Sequence, residues 1–500
     1  MRRVRKIADA ERSRADGGPD IHHTRNPGEG SCPYRTGKIR QHPQAVEPGV
    51  IGKGRWIERW TPEDTVFWEA KGKAIAFRNL IFSIVAEHIG FSIWMLWSIV
   101  VVRMYGTFDD AGTLVTAGAN GWALTAEQGL TLLAVASGVG AFLRIPYTFA
   151  VPVFGGRNWT VISALLLIIP TAGLAWVVER PDTSFGVLVA IAATAGFGGG
   201  NFASSMSNIT FFYPDKEKGW ALGLNAAGGN IGVAVAQKLV PVVIGIGGVG
   251  LAMAGLVYLP LAVIAAVLAF VFMDNLREAK ADPKPTGRSL RHPHTWLMAF
   301  LYVGTFGSFI GYSAAFPTLL TVVFDRADIA LGWGFLGALL GSLARPYGGR
   351  LADRFGGSII TACAFVLMAC AGWCAVLGVQ GENLPLFFVA FLALFLITGL
   401  GNGSTYRMIP SIFNRLRDAD GEPDDARILD FKRQSAGAVG IISAVGAFGG
   451  FAIPFVYKWS RESFEGSIVP ALQIYIGVFL LMAALTWVFY LRKGARMQGV

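Results

Sequence analysis

Twelve long apolar runs constrain this chain more than any other feature. They fall at approximately 77–102, 127–153, 158–178, 185–212, 218–245, 249–273, 294–323, 330–352, 357–379, 384–413, 433–457 and 468–491. Each meets the about 20 residues a helix needs to cross a hydrocarbon core about 30 Å thick. In lipid every backbone polar group must be paired internally, so runs of this length are expected as helices. Composition removes the other classes. Of 500 residues, 53% are hydrophobic and 15% charged, against about 25% charged in a soluble domain. That is too little charge to coat two or three soluble domains. High hydrophobicity also excludes a disordered chain. The 63 glycines show no period of three, which excludes collagen. No cleavable signal peptide is expected, because no short apolar core follows the charged N-terminus.

The net charge is +10. Nucleic acid is one explanation of a basic chain, but the bilayer supplies a better one. With a cytoplasmic N-terminus, the cytoplasmic loops and tail from Arg157 to Arg496 hold about 18 basic residues. The opposite loops hold about five: Arg103, Arg180, Arg326, Lys458 and Arg461. Both termini are therefore expected inside, and no nucleic-acid partner is expected. The four cysteines are Cys32, Cys363, Cys370 and Cys374. The last three fall on one helix face without metal-site spacing, and are read as small packing residues. No cofactor or metal is expected.

The chain repeats itself. Arg144 and Arg345, Phe154-Gly155-Gly156 and Phe355-Gly356-Gly357, and Gly200-Asn201 and Gly401-Asn402 are all related by one offset of 201 residues. The expected fold is an all-α membrane protein of twelve transmembrane helices in two pseudo-symmetric six-helix halves, related by an axis along the membrane normal. Such transporters bind substrate between the halves near the midplane. The loop GRLADRFGG (349–357) resembles the Gly-x-x-x-Asp-Arg-x-Gly-Gly loop of the major facilitator superfamily. Its first-half counterpart is reduced to FGGRNW (154–159).

Intramembrane arginine costs several kcal/mol, roughly 2.5 to 3.5 on insertion scales, and marks a functional site by default. The repeat puts Arg144 and Arg345 at equivalent depth, facing one cavity. Two cations in a low dielectric repel, and an anion between them relieves this. A guanidinium is a flat fork that matches a flat oxyanion. Nitrate, nitrite, bicarbonate and a carboxylate all fit this description. The glycine-rich stretches 195–202, 223–232 and 399–403 allow close helix approach. Asn201, Asn225, Asn230 and Asn402 are polar groups inside spans, divided between helix–helix hydrogen bonds and substrate contacts.

Longer segments carry a specific resemblance. GGGNFASSMSNITFFYP (198–214) and GNGSTYRMIPSIF (401–413) resemble the two signature copies of the NarK-type nitrate/nitrite porter family within that superfamily. WTPEDTVFWEAKGKAIAFRNL (60–80) and LYVGTFGSFIGYSAAF (301–316) resemble its N-terminal approach segment and seventh span. The resemblance implies that Arg144 and Arg345 are the substrate arginines. It implies that Phe202 sandwiches the planar anion, with Tyr302, Phe306 and Asn230 as further contacts. It places Gly199, Gly200, Asn201, Asn225, Gly228, Gly401, Asn402 and Gly403 in signature and helix-packing positions.

The expected organisation is a disordered basic extension (1–55) that the body does not need, a surface helix (56–76) begun at Thr61-Pro62-Glu63-Asp64, a first half (77–273), a linker (274–293), a second half (294–491) and a tail (492–500). The expected function is a multi-pass inner-membrane transporter that imports nitrate and exports nitrite by alternating access. Its partners are those anions and the lipid bilayer, with a functional link to a nitrate reductase. Glu87 and His88, midway through the first span, are the candidate coupling residues. Were they to carry protons, the chain would be a nitrate symporter instead. A nitrate sensor is the remaining alternative, though no output domain is evident. An enzyme is not expected, because no nucleophile–base pair stands out.

Overall fold

The computed structural model describes residues 47–109, 111–245, 250–279, 283–419, 425–495 and 497–500. Among them, twelve helices are long and apolar enough to cross a membrane. They are α1 (Thr65–Met104), α2 (Ala126–Phe154), α3 (Gly156–Val177), α4 (Phe185–Phe212), α5 (Asp215–Ile244) and α6 (Met253–Phe272), then α7 (Pro293–Phe324), α8 (Ala327–Phe355), α9 (Gly357–Gln380), α10 (Leu384–Asp418), α11 (Asp430–Ser463) and α12 (Val469–Leu491). Every apolar run became one helix. Both described chain ends lie at one face of the bundle, because twelve crossings return the chain to its starting side. That face is called the terminal face here, and the opposite one the far face.

Local chemistry sets the helix ends. Thr125 and Gln128 form a reciprocal capping box that starts α2. Gly155 and Gly356 end α2 and α8 at φ 86° and 94°. That left-handed region favours glycine, and it lets α3 and α9 begin at the next residue. The repeated Phe-Gly-Gly is thus a sharp terminal-face corner used twice. The helices of each half then pack through glycine. A Cβ built on Gly198 of α4 would lie 2.0 Å from the Gly90 carbonyl oxygen of α1. One built on Gly399 of α10 would lie 2.2 Å from the Gly341 carbonyl oxygen of α8. Without a hydrophobic drive between helices in lipid, such backbone approach is what associates them.

Three expectations are corrected. The segment 56–76 is not one surface helix. Trp56–Ile57 pairs in parallel with Asn275–Leu276, while the helix starting at Thr65 runs on as α1. Its cap is Asp64 rather than Thr61, since the carboxylate accepts from Val66 N and Phe67 N. Trp60 and Trp68 face protein, donating to the Phe212 carbonyl and to Glu217. Secondly, the extension read over 1–55 lies outside the described residues up to residue 46, but 47–55 is docked. Arg55 bonds the Met273 carbonyl at 2.7 Å and joins Arg78 on the fully buried carboxylate of Asp274. Asn79 donates to the same carboxylate at 2.8 Å. Periodicity cannot show such a strap, because its contacts span about two hundred residues. Thirdly, Cys363, Cys370 and Cys374 are exposed on the outer surface of α9 rather than packed inside. A thiol is apolar enough to face lipid.

Asp274→Ala leaves Arg55 and Arg78 without a counter-charge. The expected cost lies at the low end of the about 3–5 kcal/mol seen when a buried pair loses one partner, because both arginines keep some water contact. A lowered thermal midpoint in detergent, with Arg277→Ala unaffected as the exposed control, is the check.

Candidate functional site

Arg144 lies on α2 and Arg345 on α8, each within two residues of a helix-interior proline, Pro146 and Pro346. Arg144 is fully buried and Arg345 is 5% exposed. Both reach the same two rings. The Arg144 guanidinium carbon lies 4.5 Å from the Phe202 centroid and 4.7 Å from that of Phe306. For Arg345 the distances are 5.7 and 5.9 Å. Phe202 comes from α4 and Phe306 from α7, so this shared aromatic pair joins the two halves. Tyr302 stacks on Phe306 at 5.4 Å and 15°. Val303–Gly307, which includes Phe306, forms a π-helical turn in α7, a distortion common at functional sites.

Hydrogen bonding satisfies the arginines only in part. Arg144 donates to the Gly199 carbonyl at 3.3 Å and to the Ser443 hydroxyl of α11 at 2.9 Å. Arg345 donates to the Tyr302 hydroxyl at 3.3 Å. Arg144 Nη2 and Arg345 Nη1 are buried without a partner. Neither arginine has a carboxylate partner among the described residues. Desolvating a cation costs several kcal/mol, and a desolvated cation–π contact returns about 2. The shortfall, with an orphaned donor on each of two guanidiniums that share one aromatic pair, suits an oxyanion that accepts from both forks.

The niche also limits the anion's shape. Phe202 and Phe306 are 5.8 Å apart between centroids and 26° from parallel. A flat ion in contact with both faces needs about 7 Å. A full sandwich therefore requires the rings, and with them the halves, to separate by about 1 Å. A tetrahedral anion needs more room still.

The remaining expected residues divide into two groups. Asn230 is 1% exposed and its Oδ1 has no partner. Asn201 and Asn402 likewise keep unpaired side-chain atoms. Asn225 instead ties helices together, donating to Glu87 Oε2 at 2.7 Å and to the Ser205 hydroxyl at 2.6 Å. Glu87 thus belongs to an α1–α4–α5 polar chain and forms no ion pair with either arginine, while its Oε1 lacks a partner. His88 is turned to the Gly228 carbonyl at 3.0 Å, away from the arginines. The signature glycines are contact points. A Cβ on Gly199 would meet the Trp94 ring at 2.6 Å, on Gly200 the Tyr147 ring at 2.7 Å, and on Gly228 the Ile84 methyl at 2.4 Å. A Cβ on Gly401 would meet Thr305 at 2.9 Å, and on Gly403 the Arg345 carbonyl oxygen at 2.1 Å. Gly403 thereby sets the height at which α8 presents its arginine.

Sequence reasoning missed two residues here. Ser443 grips Arg144 across the halves. Tyr406 puts its ring 5.5 Å from the Arg345 guanidinium and leaves a buried hydroxyl unpaired. Tyr406 sits within the second signature copy and was open to notice. Ser443 lies in a run of Ala, Val, Ile and Gly with nothing to mark it.

Comparison with known proteins identifies the family. The model of the Major Facilitator Superfamily matches residues 68–421. The nitrate/nitrite transporter NarU of Escherichia coli (strain K12) is 38% identical over 87% of this chain and 96% of its own length. The probable nitrate/nitrite antiporter NarK2 of Thermus thermophilus is 32% identical over 89% and 98%. The crystal structure of a D-xylose-proton symporter shares the fold, with a TM-score of 0.62 at 14% identity over 83% of this chain and 97% of that one.

Gly403→Val is expected to push α10 off α8 and lower the thermal midpoint by several degrees. Gly186→Ala and Gly477→Ala, where a Cβ meets nothing within 4 Å, are expected to leave it unchanged in the same melt.

Proposed function

The chain belongs to the Major Facilitator Superfamily and to the nitrate/nitrite transporters within it, and on that premise we propose that it imports nitrate and exports nitrite across the bacterial inner membrane. The observation that carries this reading is the pair of buried arginines on one aromatic pair, each with an orphaned guanidinium nitrogen and neither with a carboxylate partner among the described residues. The orphaned nitrogens Arg144 Nη2 and Arg345 Nη1 hold the anion's oxygens. Phe202 and Phe306 confine its plane, and Tyr302, Tyr406 and Asn230 complete the niche. The basic loops put the terminal face in the cytoplasm.

The geometry suggests how binding and movement are linked. Phe202 belongs to one half and Phe306 to the other, so a flat anion entering between them acts on the interface that must rock. When no anion is present, two like charges share a low-dielectric niche, which disfavours reorientation. Exchange follows: each half-cycle carries an anion. Net nitrate import then needs a supply of internal nitrite, which a reaction reducing nitrate inside the cell provides.

Proton-coupled nitrate symport is the second reading, and Glu87 favours it. This carboxyl is 1% exposed, joins no ion pair among the described residues and keeps an unpartnered oxygen, as a group that gains and loses a proton would.

Nitrate uptake into proteoliposomes separates the two. Uptake that requires internal nitrite and survives Glu87→Gln is the expected result. Uptake into unloaded vesicles under a pH gradient, lost in Glu87→Gln, would replace exchange with symport. Arg144→Lys and Arg345→Lys keep the charge but lose the fork. Each is expected to lower transport about 10- to 100-fold, matching the about 1.5–3 kcal/mol of a charged hydrogen bond.

A further inference from the structure

We propose that the ion pair between Glu127 of α2 and Arg461 of α11 is a latch that holds the far face shut, and that the α2–α11 seam beneath it is the path that opens when it breaks. This rests on the alternating-access reading above. Arg461 Nε donates to Glu127 Oε1 at 2.9 Å, and this is the single ion pair across the halves on the far face among the described residues. The two helices meet again lower down. Ser137 of α2 packs on Gly450 of α11, whose built Cβ would lie 3.2 Å from the serine Cβ. Phe451 of α11 covers Gly138 of α2, whose built Cβ would lie 3.0 Å from the ring. At mid-depth, Arg144 of α2 donates to Ser443 of α11. The latch is seventeen residues from Arg144 along α2 and eighteen from Ser443 along α11, about 25 Å at 1.5 Å per residue. One seam thus runs from the anion niche to the far face, clasped at both ends.

The other cross-half contacts on the same side include no second ion pair among the described residues. The Tyr105 hydroxyl bonds that of Thr318 at 3.0 Å, and burial pushes the Tyr105 phenol above its usual range, keeping it neutral. Gln237 Nε2 donates to the Ser313 carbonyl at 2.7 Å. Lys238 Nζ donates to the Gly332 carbonyl at 3.3 Å. On the terminal face, Lys432 meets Asp215 at an exposed site.

A plainer explanation must be tested against the latch. Glu127 lies in the first turn of α2 and Arg461 in the last turn of α11, where the helix dipoles favour each charge by itself. Arg461 also donates to the Gly466 carbonyl at 2.8 Å, and Lys458 pairs with Glu462 at 3.6 Å close by. Helix-end stabilisation alone predicts that the two charges act independently. A latch predicts that they act as a pair.

Ser137→Cys, in the full chain with its four native cysteines replaced by serine, reports on the seam. The rate of labelling by a membrane-impermeant maleimide is measured in right-side-out vesicles. Glu127→Gln and Arg461→Gln are each expected to raise that rate about threefold to tenfold. The double reversal Glu127→Arg with Arg461→Glu is expected to restore the slow rate, which a merely unfolded variant would not do. Single changes that leave labelling unaltered, or a double reversal as fast as the singles, would overturn the latch. Labelling that follows this pattern in a protein unable to exchange nitrate for nitrite would support the latch and count against the transport reading alone.

Discussion

Two guanidiniums buried against one pair of aromatic rings, with no carboxylate partner among the described residues, are the interaction on which the rest of the structure depends. Holding one such cation away from water costs several kcal/mol, and holding two adds their repulsion. The fold meets this with partial satisfaction from several directions. Gly199 and Ser443 accept from Arg144, Tyr302 accepts from Arg345, and the ring faces of Phe202 and Phe306 lie under both. These partners come from α4, α7 and α11, so the site exists only when α2, α4, α7, α8 and α11 are assembled together.

The contacts within each half differ in kind from those between the halves. Inside the halves, glycines bring backbones together at Gly90–Gly198, Gly341–Gly399 and Gly307–Gly449, where even a methyl group does not fit. Between the halves lie side-chain bonds instead: Arg144 to Ser443, Gln237 to Ser313, Arg461 to Glu127. The Phe202–Phe306 stack also crosses this boundary, so in the proposed transport cycle the two walls of the niche belong to different halves.

Much of this was legible along the chain. The twelve spans followed from the needs of a backbone in lipid, and the offset of 201 residues paired Arg144 with Arg345 because duplicated halves keep equivalent residues in register. The two signature copies marked Phe202 and Gly403. Residues that work across the seam were harder to see. Ser443, Gln237 and Glu127 carry no motif, and their partners lie far away in sequence. The strap through Arg55 and Asp274 escaped for the same reason: a segment without periodicity looks structureless until its docking site is known.

The sequence by itself determined the solvent, the number of crossings, the twofold descent of the halves and the chemical class of the ligand, because hydrophobic length, charge bias and repeated motifs are local properties of a chain. Only the tertiary structure decided which buried polar groups are spent on packing and which remain free. It assigned Asn225 to Glu87 and His88 to a helix carbonyl, and it left one nitrogen of each arginine unpaired. Hydrogen-bond satisfaction depends on every neighbour at once, and those neighbours are set by helix packing rather than by position in the chain.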